Sequence, residues 1–231
     1  YRDTLDFKLT GHISRSQDKY IFYSNLNSHP EMQGNGGHII GLTSLSSTDP
    51  TNFLLYGENI PLEFISYLNL VRGLGVTISN QSLFPRGSVG QLGIVWDDSK
   101  KNNNRLRINM DVENISIRSM DNSFELLGTG FKIQANQTKG NVKFEKTEID
   151  LHFPNQKTES FSFSNIDGTL HWQKNNLEGL TIFAERLEGF LNEKSFQLQT
   201  VLKKFGTSNP GILFSAQLPS LKIDFVKKMI P

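Results

Sequence analysis

The run Leu106-Arg107-Ile108-Asn109-Met110-Asp111-Val112 decides the fold. Apolar and polar residues alternate through it without a break. A period of two gives a β-strand one apolar and one polar face. The alternation resumes at Ile115 and Ile117 on the opposite parity. An extra residue is therefore expected near Glu113-Asn114, as in a β-bulge. The same period recurs on both sides of this stretch. Before it come Leu5, Phe7, Leu9 and Ile13, then 20–26, 38–42, 53–56 and 89–96. After it come 124–127, 131–135, 142–144, the trio Ile149, Leu151 and Phe153, the pair Phe161 and Phe163, and 168–172. Leu180, Ile182 and Ala184, then Phe196 and Leu198, then Ile212, Phe214, Ala216 and Leu218 complete the series. Turn signals separate many of these runs: a Gly-rich 31–37, Thr48-Asp49-Pro50 and an Asn-rich 97–104. Short alternating strands with turns every ten or so residues specify an antiparallel, mainly β architecture.

The period changes once. Phe64, Ile65, Leu68 and Val71 share a helical face, Pro61 suits a first turn, and Gly73 and Gly75 supply a stop. One amphipathic helix is expected over 61–72, packed as a lid over one end of the sheet. Asp224 can cap a short final helix through Val226 and Met229. The 231 residues form one β-rich unit, with a possible division into 1–58 and 59–231.

Composition narrows the function. The chain carries 24 Lys+Arg against 23 Asp+Glu, a formal charge of +1. A balance near zero argues against a nucleic-acid partner, which calls for a basic surface. Cysteine is absent, which excludes disulfides and thiolate metal sites. No run approaches the roughly 20 apolar residues that cross a bilayer as a helix. The chain opens Tyr1-Arg2-Asp3 without Met, so it is read as a piece of a longer protein. An anchor or export signal would lie outside it.

Catalytic constellations are weak. His12, His29, His38, His152 and His171 show no metal-ligand spacing, and His152 and His171 stand on polar parity. Gly34, Gly36 and Gly37 lack the Lys-Ser/Thr of a phosphate loop. Asp111, Glu148 and Asp150 are carboxylates on polar parity; paired acids could serve a glycosidase, the least favoured reading. No cofactor or metal is expected. The 17 Phe residues carry more weight, as a closed sandwich core or as the wall of a groove.

Several ordered stretches resemble the YhdP type of bacterial AsmA-like proteins, in the region called DUF3971. They are Pro61-Leu62-Glu63-Phe64-Ile65, Leu83-Phe84-Pro85-Arg86-Gly87, Leu92-Gly93-Ile94-Val95-Trp96-Asp97 and the Gly-containing 128–144. Ile149-Asp150-Leu151-His152-Phe153-Pro154, Ile166-Asp167-Gly168-Thr169-Leu170-His171-Trp172 and the ending Met229-Ile230-Pro231 follow. The likeness spans about 59–231 and departs from the family at the Asn-rich 101–104 and in the ending, where Ile230-Pro231 replaces the more usual aromatic-Leu-Pro. It implies an elongated, curved sheet forming an apolar trough. It also implies a periplasmic segment of an inner-membrane-anchored protein that moves phospholipid between inner and outer membranes without enzymatic chemistry. The partners implied are phospholipid acyl chains, and the membrane through other segments. Parity then nominates Leu106, Ile108, Met110, Ile149, Leu151, Phe153, Leu170, Trp172, Phe214 and Ala216 as lining residues. The competing reading is a structural or adhesion β-sandwich that binds protein or glycan partners, with those residues sealed against a second sheet.

Overall fold

The computed structural model describes residues 7–16, 19–28, 37–44, 52–62, 64, 83–99, 105–119, 123–154, 160–175, 179–205 and 211–217. Twelve strands form one sheet in strict sequence order. They are β1 (Phe7–Ser16), β2 (Lys19–Ser28), β3 (Gly37–Ser44), β4 (Asn52–Pro61), β5 (Leu83–Asp97) and β6 (Leu106–Ser119). β7 (Glu125–Asn136), β8 (Lys139–His152), β9 (Ser160–Asn175), β10 (Gly179–Leu191), β11 (Lys194–Phe205) and β12 (Gly211–Gln217) follow. Every pairing is antiparallel. Among the described residues β1 and β12 are the edges and do not pair with each other, so the curved sheet is unclosed.

Register keeps one face apolar from edge to edge. Residues directly opposite each other in a ladder project to the same side. One row runs Gly11, Ser24, Ile39, Gly57, Leu92, Met110, Ile133, Val142, Leu170, Ala184, Thr200, Phe214. Two residues along, another runs Ile13, Phe22, Gly41, Leu55, Ile94, Ile108, Ala135, Gly140, Trp172, Ile182, Leu202, Ile212. The second row alternates bulk with gaps. The Phe22 ring lies over Gly41 and the Trp172 ring over Gly140, where a Cβ would collide with each. The glycines thus let large rings lie flat on the sheet.

The bulge expected near Asn114 is present, and it has company. Asn59 (φ 52°), Gly87 (137°), Asn114 (50°), Gly130 (134°), Lys146 (51°) and, both on β9, Asn165 (50°) and Gly168 (136°) place a positive-φ residue in every strand from β4 to β9. Register shifts mark the same feature in β10, between Ala184 and Leu187. Neighbouring bulges abut. A Cβ on Gly87 would lie 2.8 Å from the Asn114 carbonyl oxygen, and one on Gly130 would strike that of Val112. Thr147, buried beside the β8 bulge, donates its hydroxyl to the Gly130 carbonyl at 2.9 Å. The Lys146 amide donates to the Asp167 carboxylate at 3.1 Å. Each bulge bends its strand and adds right-handed twist. A row of them across seven strands curls the sheet.

The two expected helices are not shown. Pro61 closes β4, and only Leu62 and Phe64 beyond it are described, both helical. The remainder of 61–72 and the final helix near Asp224 lie outside the described residues. Leu62 and Phe64 pack against the first of two apolar clusters, built on Leu26, Ile39, Ile60, Val89, Leu92, Ile94, Leu106 and Ile108. The second cluster is Phe161, Ile166, Leu191 and Phe196, flanked by Phe144, Ile149, Leu151, Phe153, Phe163 and Leu198.

Candidate functional site: the apolar face

The eight nominated residues from Leu106 to Trp172 fall on the apolar face, but they do not share one environment. Leu106 and Ile108 on β6 are core residues, 9% and 1% exposed. They belong to the packed first cluster and give no open lining. Met110, on the same strand, is half-buried against that cluster. Ile149, Leu151 and Phe153 at the end of β8 are half-buried beside the second cluster. Leu170 and Trp172 on β9 are half-buried too. Register places Phe214 and Ala216 opposite Thr200 and Leu198.

Parity reading missed the residues that link these groups. Phe131 and Ile133 on β7 and Val142 and Phe144 on β8 are half-buried and continue the face. Ring contacts run Phe124–Phe153–Phe161, with centroids 5.9 and 6.3 Å apart. Phe131 and Phe144 meet edge to face at 6.0 Å, as do Phe163 and Phe196 at 5.7 Å. The excess of Phe in the composition was the signal for them. The face is more deeply buried over β2–β6, where Leu62 and Phe64 pack on it and Phe22, Leu55, Trp96 and Met110 are half-buried, than over β7–β11, where half-buried side chains surround the buried Phe161, Ile166, Leu191 and Phe196.

The opposite face is polar over most of its width. His152 and His171 stand there as expected from parity, His171 stacked on Phe183 at 4.9 Å. At the bulges lies a depression of about 440 Å³ holding Asp111, Glu113, Glu145, Glu148, Lys132, Lys143 and Lys146. Lys132 and Lys143 donate to the Glu145 carboxylate at 2.7 and 2.6 Å. Hydrogen bonds from these two ammonium groups, then their charge, lower the Glu145 pKa to about 2. The same bond to Glu145 raises the Lys132 pKa. A carboxyl group acting as general acid near neutral pH needs the reverse shift.

The shift has a definite pH signature. A carboxyl depressed in the folded state stabilises above its unfolded pKa, and the contribution disappears as pH falls through the folded value. The window here runs from about 4.5 down to about 2. In a side-chain NMR titration Glu145 should titrate near 2. In Lys143→Met its midpoint should move upward, because one of two donors is gone. An unmoved midpoint would show that Lys143 does not hold the carboxylate.

The polar face also carries an unforeseen apolar island. Ile21, Ile40, Leu54 and Tyr56 on β2–β4 are 40%, 43%, 45% and 38% exposed. Beside them Tyr23 and Asn25 meet His38 through contacts of 3.2 and 2.7 Å. Among the described residues no group of His, Asp and Glu is arranged to hold a metal ion, and no helix is long and apolar enough to cross a membrane. No family model, curated protein or solved structure matches this chain.

Proposed function

We propose that this chain is a non-enzymatic segment of a YhdP-type, AsmA-like protein of the Gram-negative periplasm. In this reading the less deeply buried part of its apolar face binds phospholipid acyl chains passing between inner and outer membranes. One observation carries the reading: apolar rows cross the whole width of a single unclosed sheet. Over β7–β11 most of their side chains keep partial exposure, Ala135 and Ala184 being buried. An apolar surface this broad is costly to leave in water, and such surfaces mark binding sites. Each acyl CH2 moved onto it from water gains about 0.8 kcal/mol. The contact is non-directional, so a chain can slide along it while its headgroup stays hydrated. Nothing in that process makes or breaks a covalent bond. Attachment to the inner membrane would come through other segments.

The test uses the chain purified in mild detergent. Native mass spectrometry with lipid extraction should recover bound phospholipid, and the delipidated protein should take up a fluorescent phospholipid. Leu170→Asp and Ile149→Asp should each weaken uptake about tenfold or more, equivalent to about 1.4 kcal/mol. Ile21→Asp, on the other face, should leave it unchanged. Recovery of no phospholipid together with no uptake would end the reading.

The island on the polar face favours a second reading, a structural module that binds a protein or glycan partner. Its apolar and aromatic centre, rimmed by Asn25, His38 and Glu58, has the anatomy of an interface. In that case Ile40→Asp would abolish partner binding and leave lipid uptake intact.

A further inference from the structure

We infer that β1 is a self-pairing edge, and that two copies of this chain join antiparallel through Phe7–Ser16 to form one continuous sheet. The inference does not rest on lipid binding. β1 pairs with β2 through ten consecutive positions without a register shift. Among the described residues it has no other strand neighbour. An edge of this kind presents a row of unpaired backbone N–H and C=O groups. Proteins usually blunt such edges with a bulge, a proline, a very short strand or charged side chains, and β1 carries its two charges, Lys8 and Arg15, only toward its ends. β1 has no bulge and no proline and runs for ten residues, although the interior strands β4 to β10 are bulged. Every residue from Thr10 to Arg15 is exposed, and Ile13, on the apolar side, is 74% exposed.

The occupant follows from self-complementarity. A two-fold axis normal to the sheet keeps both apolar faces on the same side only if paired residues have equal parity. The register centred on Gly11 satisfies this. It sets Leu9 opposite Ile13, Thr10 opposite His12, Lys8 opposite Ser14 and Phe7 opposite Arg15, with no like charges facing. Moving the centre to His12 would oppose His12 with itself and put Leu9 against Arg15. The Gly11 register therefore extends the apolar rows across the junction, and Ile13 gains the neighbour it lacks.

Sedimentation of the intact chain should show a weak monomer–dimer equilibrium, with dissociation on the order of 10 μM. Ile13→Lys puts an inward-pointing charge on the edge at a position too exposed to disturb folding, and should weaken dimerisation at least tenfold. Because the chain has no cysteine, register can be read by crosslinking. Thr10→Cys mixed with His12→Cys should give a disulfide-linked dimer under mild oxidation, since directly opposed Cα atoms fall within disulfide range. Either variant alone should not. A chain monomeric at 100 μM, a dimer indifferent to Ile13→Lys, or crosslinking of either single variant alone would each overturn the proposal.

Discussion

Ile108→Asp should unfold the protein at neutral pH, whereas Leu170→Asp should leave it folded. Both residues stand on the apolar face, in adjacent rows, and parity alone treats them alike. Their environments differ. Ile108 is 1% exposed inside the first cluster. Removing its side chain as far as Ala would cost about 2–5 kcal/mol in lost transfer energy and cavity. Asp adds an unpaired carboxylate that must stay desolvated or take up a proton. The sum reaches a large share of the roughly 5–15 kcal/mol that holds a typical domain together. Burial also fixes the sign of the pH dependence. The folded-state pKa of the new carboxyl lies above its unfolded value of about 4, so the unfolded chain binds fewer protons and stability falls as pH rises past 4. Chemical denaturation of the Ile108→Asp variant should therefore show most residual structure near pH 4. Leu170 is half-buried, and water can reach a carboxylate there, so a loss of about 1–2 kcal/mol is expected. Equal destabilisation at the two positions would mean that the face over β9 is as closed as that over β6.

Leu106, Ile108 and Met110 already declare their common face in the sequence, because a period of two needs only neighbouring residues to be read. The depth at which each sits is a different matter. It depends on contacts such as those of Leu62 and Phe64, which arrive from another part of the chain and pack against the first cluster. Local alternation holds no record of that. The long strands were legible only as fragments for a related reason. β7 reads as separate runs at 124–127 and 131–135, and β8 as 142–144 and 149–153, because one left-handed residue inverts the parity between them. Only the bulge at Asn114 stood out, since the alternation on both sides of it is unbroken. The apolar island of Ile21, Ile40, Leu54 and Tyr56 escaped notice because each strand there has apolar residues on both parities. The lining residues Phe131 and Phe144 were hidden by the same parity inversion that splits their strands.

The bulge row makes Gly130→Val a strongly damaging change. Gly130 holds φ at 134°, a conformation that a β-branched residue strongly resists. Its absent Cβ would point at the Val112 carbonyl oxygen, which is backbone and cannot swing aside. Strain of this kind costs on the order of 1–3 kcal/mol alone. Relief would require β7 to move off β6, and the Gly130 carbonyl would then leave the Thr147 hydroxyl that donates to it. Thr147 is 2% exposed, so its hydroxyl would lose a partner where little water can replace it. A loss of about 3–4 kcal/mol is expected by urea denaturation. Thr147→Val keeps the glycine and removes the hydroxyl, with both its bond to the Gly130 carbonyl and the one it accepts from the Glu145 amide, and should cost about 1–2 kcal/mol. If the bulges act as one row, Gly130→Val should also speed amide hydrogen exchange beyond β7, at Lys146 on β8 and Gly168 on β9. Local unfolding spreads through contiguous units, and these bulges abut one another. Exchange that rises only next to Gly130 would show instead that each bulge bends its own strand alone.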